Sequence, residues 1–164
     1  MANLVYQPLQ TVITFKPATQ SGSATWELDA ITNGAGRQAA LYDFGTASVA
    51  RRLSFRFYTQ CQATPTLGNL IRLYWKSSEG SHPDNDDGTG DAAVSSEDKL
   101  RNLMYIGSAI VDEGAANIEF VRSGYFFLPH RYGAPVVWNA SGATLTTDET
   151  EHGMTLTPVP DEIQ

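Results

Sequence analysis

Arg52-Leu53-Ser54-Phe55-Arg56-Phe57-Tyr58 and Ile71-Arg72-Leu73-Tyr74-Trp75-Lys76 decide the fold of this chain. In both stretches apolar side chains alternate with polar or amphipathic ones. Period two places successive side chains on opposite faces of a strand, so each stretch reads as a strand with one face buried. Thr64-Pro65-Thr66-Leu67-Gly68-Asn69 lies between them and is rich in turn residues. The two strands are therefore expected to pair as a hairpin. Leu53, Phe55, Phe57, Ile71, Leu73 and Trp75 then enter the core. Arg52, Arg56, Tyr58, Arg72, Tyr74 and Lys76 then share one outer face.

Working outward, other segments repeat the pattern of short strands between turns. Leu4 to Phe15 is apolar but broken by Pro8, and reads as an arm or edge strand. Trp26 to Ile31, Gln38 to Phe44, Met104 to Val111, Asn117 to Leu128, Val136 to Asn139 and Met154 to Pro158 follow as strands. Ile118, Phe120 and residues within Tyr125 to Leu128 are expected to add to the core. Ser95 and Asp98 have capping-box spacing, which predicts one short helix near Ser96 to Leu103. About eight strands with this spacing predict an all-β, single-domain antiparallel β-sandwich of jelly-roll type with one short helix. Residues 1–23 are assigned to an N-terminal arm or edge strand, 24–158 to the sandwich and 159–164 to a tail.

The 164 residues suit one domain with its own core. Only 18% are charged, which suggests a surface partly covered by a partner. Net charge is −7, unfavourable for general nucleic-acid binding. The single cysteine, Cys61, excludes an internal disulfide and a cysteine zinc site. Together with an N-terminus lacking the pattern of a signal peptide, it leads to an expectation of maturation in a reducing cytoplasm. No apolar run approaches membrane-spanning length.

No motif carries recognisable catalysis. Gly34-Ala35-Gly36-Arg37-Gln38-Ala39 has the letters of a dinucleotide fingerprint, but strand-like residues follow where a helix is needed. Ser77 to Ser96 reads as a long exposed loop, and Ser78 to Asp91, which holds the acidic stretch Asp84 to Asp91, is expected to be exposed and mobile. Counted from Asp84 as a calcium loop, it has Thr89 at position six and Ser95 at position twelve, where glycine and glutamate are required. An irregular site of Asp84, Asp86, Asp87 and Asp91 is the remaining calcium possibility. His82, His130 and His152 are scattered and read as surface or turn residues. The expectation is no enzyme, no metal and no cofactor. Arg51, Arg52, Arg56, Tyr58, Arg72, Tyr74 and Lys76 form the candidate partner-binding strip.

Several pieces resemble a small virion protein of tailed bacteriophages. They are Leu41-Tyr42-Asp43-Phe44-Gly45-Thr46, the Arg51-Arg52 strand, Thr64-Pro65-Thr66-Leu67-Gly68 and Leu73-Tyr74-Trp75-Lys76-Ser77-Ser78. Leu103-Met104-Tyr105-Ile106-Gly107 and Leu128-Pro129-His130-Arg131-Tyr132-Gly133 continue the resemblance. It implies a decoration or cement protein on the capsid exterior, with the major capsid protein as partner and a homo-oligomer, a trimer above all. A carbohydrate-binding module of a fibre or tail, stacking sugars on Tyr58, Tyr74, Trp26 or Trp138, is the alternative. A head-completion or tail structural protein is a third.

Overall fold

The computed structural model describes residues 11–45, 51–80, 83–84 and 88–159. The strands are β1 (Ile13–Lys16), β2 (Ala24–Thr25), β3 (Ala35–Gln38), β4 (Tyr42–Asp43), β5 (Arg52–Gln60) and β6 (Leu70–Ser78). They continue with β7 (Ala92–Val94), β8 (Met104–Ile110), β9 (Glu119–Phe127), β10 (Tyr132–Ala140) and β11 (Gly153–Val159). One sheet runs β2-β1-β11-β5-β9 and the other β7-β3-β10-β6-β8, with β4 beside the start of β10. The protein is thus an all-β sandwich of two largely antiparallel sheets.

The pairing is nested. β6 pairs with β8, β5 with β9, β3 with β10 and β1 with β11, and successive pairs alternate between the two sheets. A long antiparallel hairpin rolled up on itself gives this order, the jelly-roll arrangement. Its eight strands account for the number expected. The three additional strands, β2, β4 and β7, have two or three residues each.

The expected hairpin does not form. β5 and β6 belong to opposite sheets, and β5 pairs instead with β11 and β9. The reason lies in the connection. Gln62 and Thr66 donate their backbone N–H groups to Thr144 and Ser141, and Gly68 donates to Val111. These bonds carry the chain across the end of the sandwich rather than turning it back beside itself. The faces are as expected: Leu53, Phe55, Phe57, Ile71, Leu73 and Trp75 are all buried. They meet across the sandwich instead of side by side. Trp75 of one sheet packs on Phe126 of the other with ring centroids 4.7 Å apart, and edge-on to Phe15 at 6.2 Å. Gly133 makes room for this, because a Cβ there would lie 2.4 Å from the Trp75 ring.

Other boundaries differ from expectation. Trp26 to Ile31 is not a strand: the chain turns at Asp29 and Ala30, where Ala30 adopts φ 52. Trp26 is still buried and donates its indole N–H to the Arg37 carbonyl at 3.2 Å. Gln38 to Phe44 divides into the end of β3 and the short β4. β1 lies within the stretch expected as an arm, yet sits between β2 and β11 in the sheet. The expected helix is one 3-10 turn, Glu97–Leu100, and its N-cap Ser96 makes no side-chain cap bond. A second 3-10 turn, Glu149–Glu151, is capped by Asp148. The first ten residues of the expected arm, the tail beyond residue 159, and His82, Asp86 and Asp87 lie outside the described residues.

Candidate functional site

The fold divides the basic strip between two faces. Arg52, Arg56 and Tyr58 point outward from the β5 sheet, and Arg51 sits just before them with its guanidinium 3.3 Å from the Pro129 carbonyl. Arg72 and Tyr74 point outward from the β6 sheet, on the other side of the molecule. Lys76 is fully buried, contrary to the expectation of an exposed basic side chain. The strip is therefore not one surface.

Lys76 is buried because the chain roofs its own sheet. Beyond β7 at the sheet edge, residues 95–103 lie over the outer face of β10 and β6. Val94, Leu100 and Leu103 pack on Val136 and Trp138 in a second small core. Beneath the start of this roof, the Lys76 ammonium donates to Gln38 Oε1 at 2.7 Å and to the Gly88 carbonyl. Gln38 Nε2 donates to the Gly90 carbonyl at 2.7 Å. Asp91 accepts from Arg37 Nε at 2.6 Å and from the Glu27 amide at 3.0 Å. Arg72 pairs with Glu97 of the 3-10 turn, and Tyr74 meets Tyr105 edge-on with centroids 5.5 Å apart. The acidic segment is thus tied down at its described positions. Asp84 is tied as well, its carboxylate accepting from the Ser77 amide at 2.9 Å.

The other outer face carries no such roof among the described residues. Strand register sets its rows across β11, β5 and β9: Val159-Arg52-Phe127, Thr157-Ser54-Tyr125, Thr155-Arg56-Ser123 and Gly153-Tyr58-Val121. Tyr125, Phe127 and Val121 are 71%, 67% and 43% exposed. Small hydroxyl side chains of Ser54, Ser123, Thr155 and Thr157 leave a shallow depression between Tyr125 and Arg56. Charge is sparse. On β1, β11, β5 and β9 the outward-facing charges are Lys16, Arg52 and Arg56 against Glu119 alone. Arg56 pairs with Glu119 at 3.0 Å and stacks over the Tyr58 ring at 5.3 Å. Burial pushes the Tyr58 phenol above its usual range.

Within Tyr125 to Leu128, the stretch expected to add to the core, Phe126 and Leu128 are buried while Tyr125 and Phe127 turn outward; Ile118, also expected in the core, is only half-buried. Parity is the signal: Phe120 and Phe126 are buried, so the odd positions of β9 face out. For the carbohydrate alternative, Trp26 and Trp138 are buried and cannot stack a sugar.

One further cluster was not evident in the sequence. Glu27, Asp29 and Glu149 bring carboxylate oxygens within 4.8 Å of one another. Burial, then the neighbouring Asp29 and Glu27, push Glu149 above the usual carboxylate range. His152, expected at the surface, is fully buried and shares a 2.8 Å hydrogen bond with Asp29. Cys61 is buried 3.4 Å from the Ser141 hydroxyl, and burial pushes its thiol up. A buried thiol of raised pKa is a poor nucleophile.

Comparison with protein-family models and with curated proteins finds no match.

Proposed function

We propose that this protein is a structural component of a phage virion, which binds the exterior of the assembled capsid and stabilises it. The carrying observation is the open face of β11, β5 and β9. Among the described residues it is uncovered, aromatic and poor in charge, on a sandwich whose other outer face is already covered by its own chain. Exposed Tyr, Phe and Arg with few Lys or Glu is the composition of protein interface centres. Lys16, Arg52 and Arg56 give this face a basic balance on a chain of net charge −7, which suits an acidic partner surface. The jelly-roll arrangement is used by viral capsid and lectin domains, a support by analogy of fold alone. The major capsid protein is the proposed partner, and the protein acts as a homo-oligomer without hydrolysing substrate. A ligand that binds only the assembled shell stabilises that state by mass action.

The test is add-back of purified protein to undecorated shells, read by co-sedimentation and by shell resistance to heat. Binding that weakens with salt and is lost in Arg56→Ala/Tyr125→Ser supports the proposal. Failure to bind shells, with retention on a host polysaccharide, favours the alternative. That second reading rests on the hydroxyl-lined depression beside Tyr125, where a sugar ring could stack.

A further inference from the structure

We infer that two copies of this chain associate through β9, strand against strand, joining their five-stranded sheets into one. The inference starts from the four sheet edges. β2 and β7 are edges of two and three residues. β8 is an edge broken by a bulge opposite Leu73 and Tyr74. β9 is different. It runs nine residues in unbroken register with β5 and contains no proline or lysine. Proteins ordinarily blunt such an edge, because its unpaired N–H and C=O groups are a template for another strand.

The ladder shows which groups are on offer. Leu128 donates its N–H to the Arg51 carbonyl at 2.6 Å. Hydrogen-bonded pairs alternate along an antiparallel ladder, so Phe126, Gly124, Arg122 and Phe120 also bond to β5. Val121, Ser123, Tyr125 and Phe127 therefore turn their backbone groups away from β5, to an edge that no strand among the described residues pairs. Of these, Val121, Tyr125 and Phe127 carry the exposed apolar side chains of the outer face.

A second copy is the occupant because the strand complements itself. Antiparallel pairing about the midpoint Ser123 uses all nine residues. It sets Val121 opposite Tyr125 of the partner and Tyr125 opposite its Val121. Aromatic and β-branched side chains are favourable cross-strand neighbours. Arg122 falls opposite Gly124, which has no side chain to obstruct it, and Glu119 opposite Phe127. No like charges meet. Arg122 lies on the inward-facing side of β9 and stays exposed, its Nε 2.9 Å from where a Cβ on Gly107 of β8 would be. Odd positions pair with odd positions, so the two open faces lie on the same side of the joined sheet. This inference does not depend on the proposed function, although the dimer would present two docking faces together.

Light scattering coupled to size exclusion, over a concentration series, tests it. The wild-type chain is expected at twice 17.8 kDa. Ser123→Pro removes an N–H that β5 does not use, and should give a folded monomer. Val121→Lys should do the same by placing charge on the edge, and decides the matter if the proline variant fails to fold. Hydrogen exchange at Val121, Ser123 and Tyr125 should be slow in the wild type and fast in the variant. A wild-type monomer at every concentration, a trimer, or a dimer insensitive to the variants overturns the inference. Pairing with a strand of another protein by a chain that is itself monomeric overturns it as well.

Discussion

The two outer faces of the sandwich start from the same pattern and end differently. Arg56 on β5 and Lys76 on β6 are both basic residues at outward positions of long strands. Arg56 stands in solvent beside Glu119, whereas Lys76 is sealed under residues 88–90 and held by Gln38 and a backbone carbonyl. One face has been completed within the chain by a second small core. The other keeps Tyr125 and Phe127 exposed. An outward position is therefore not a solvent position, and the face left open is where a partner is to be sought.

The sharpest way to break the comparison is to remove the centre of the roof's core. Trp138 packs under Val94, Leu100 and Leu103, with its ring close over Gly36. Trp138→Ala is expected to cost about 3–5 kcal/mol, the range for truncating a buried aromatic. Tyr125→Ala on the open face should cost less than about 0.5 kcal/mol, as exposed substitutions do. Equal losses in urea melts would remove the distinction between roofed and open faces.

The next effect is at the latch. Lys76→Met keeps the aliphatic stem but removes the donor that Gln38 Oε1 and the Gly88 carbonyl share. Taking the donor from a buried acceptor such as Gln38 Oε1 costs about 1–3 kcal/mol. Amides around residues 88–91 should then exchange faster, while those of β9 do not change. Unaltered exchange at the roof would mean that its small core, not the lysine, holds it down.

These contrasts also show what the sequence could convey. Alternation in 52–58 and 71–76 revealed which side chains are buried, and every one of the six core residues named there is buried. It could not reveal the neighbouring strand, because period two encodes a face and not a partner. Residues 64–69 read as a hairpin turn, and only the bonds of Gln62, Thr66 and Gly68 to Thr144, Ser141 and Val111 make the connection a crossing between sheets. The roof had a signal of its own in Val136-Val137-Trp138. A continuous apolar run marks a strand buried on both sides, and β10 is buried at seven consecutive positions. Tyr125 and Phe127 were legible by parity with Phe120 and Phe126. The Glu27, Asp29, Glu149 and His152 cluster was not legible, since it joins distant loops without a spacing rule.

Acid pH sharpens the comparison between the sheets through two carboxylates shifted in opposite directions. Asp43 on β4, beside the roofed sheet, takes two bonds from Arg131 at 2.7 and 2.6 Å. These bonds, led by the Arg131 side chain and then the Gly45 amide, lower its pKa from 3.8 to about 2. A depressed carboxylate contributes stability that is present above its unfolded value and lost as pH falls toward the folded one. Stability should therefore decline between about pH 4 and 2, and Asp43→Asn should flatten that part of the profile. Glu149 is raised, by burial first and then by Asp29 and Glu27, so it opposes folding as pH rises through its ordinary range, and Glu149→Gln should remove that contribution. Melting temperatures of the two variants across acid pH provide the check.

The smallest effect on stability is expected on the open face, where the largest effect on binding is also expected. The Arg56–Glu119 pair is exposed on both sides, and such pairs contribute about 0.2–1 kcal/mol. Arg56→Ala should thus melt within about 0.5 kcal/mol of the wild type. On a docking face the same guanidinium would be brought next to an acidic surface and lose its water. Its removal should then weaken capture by shells, with a smaller loss at high salt, where charges are screened beyond a few ångströms. Glu119→Ala removes the acid that pairs with Arg56 on this face and should strengthen capture. Arg72→Ala, at the margin of the roofed face, should leave capture unchanged. A stronger loss from Arg72→Ala than from Arg56→Ala would move the partner to the other side of the molecule, over the roof itself.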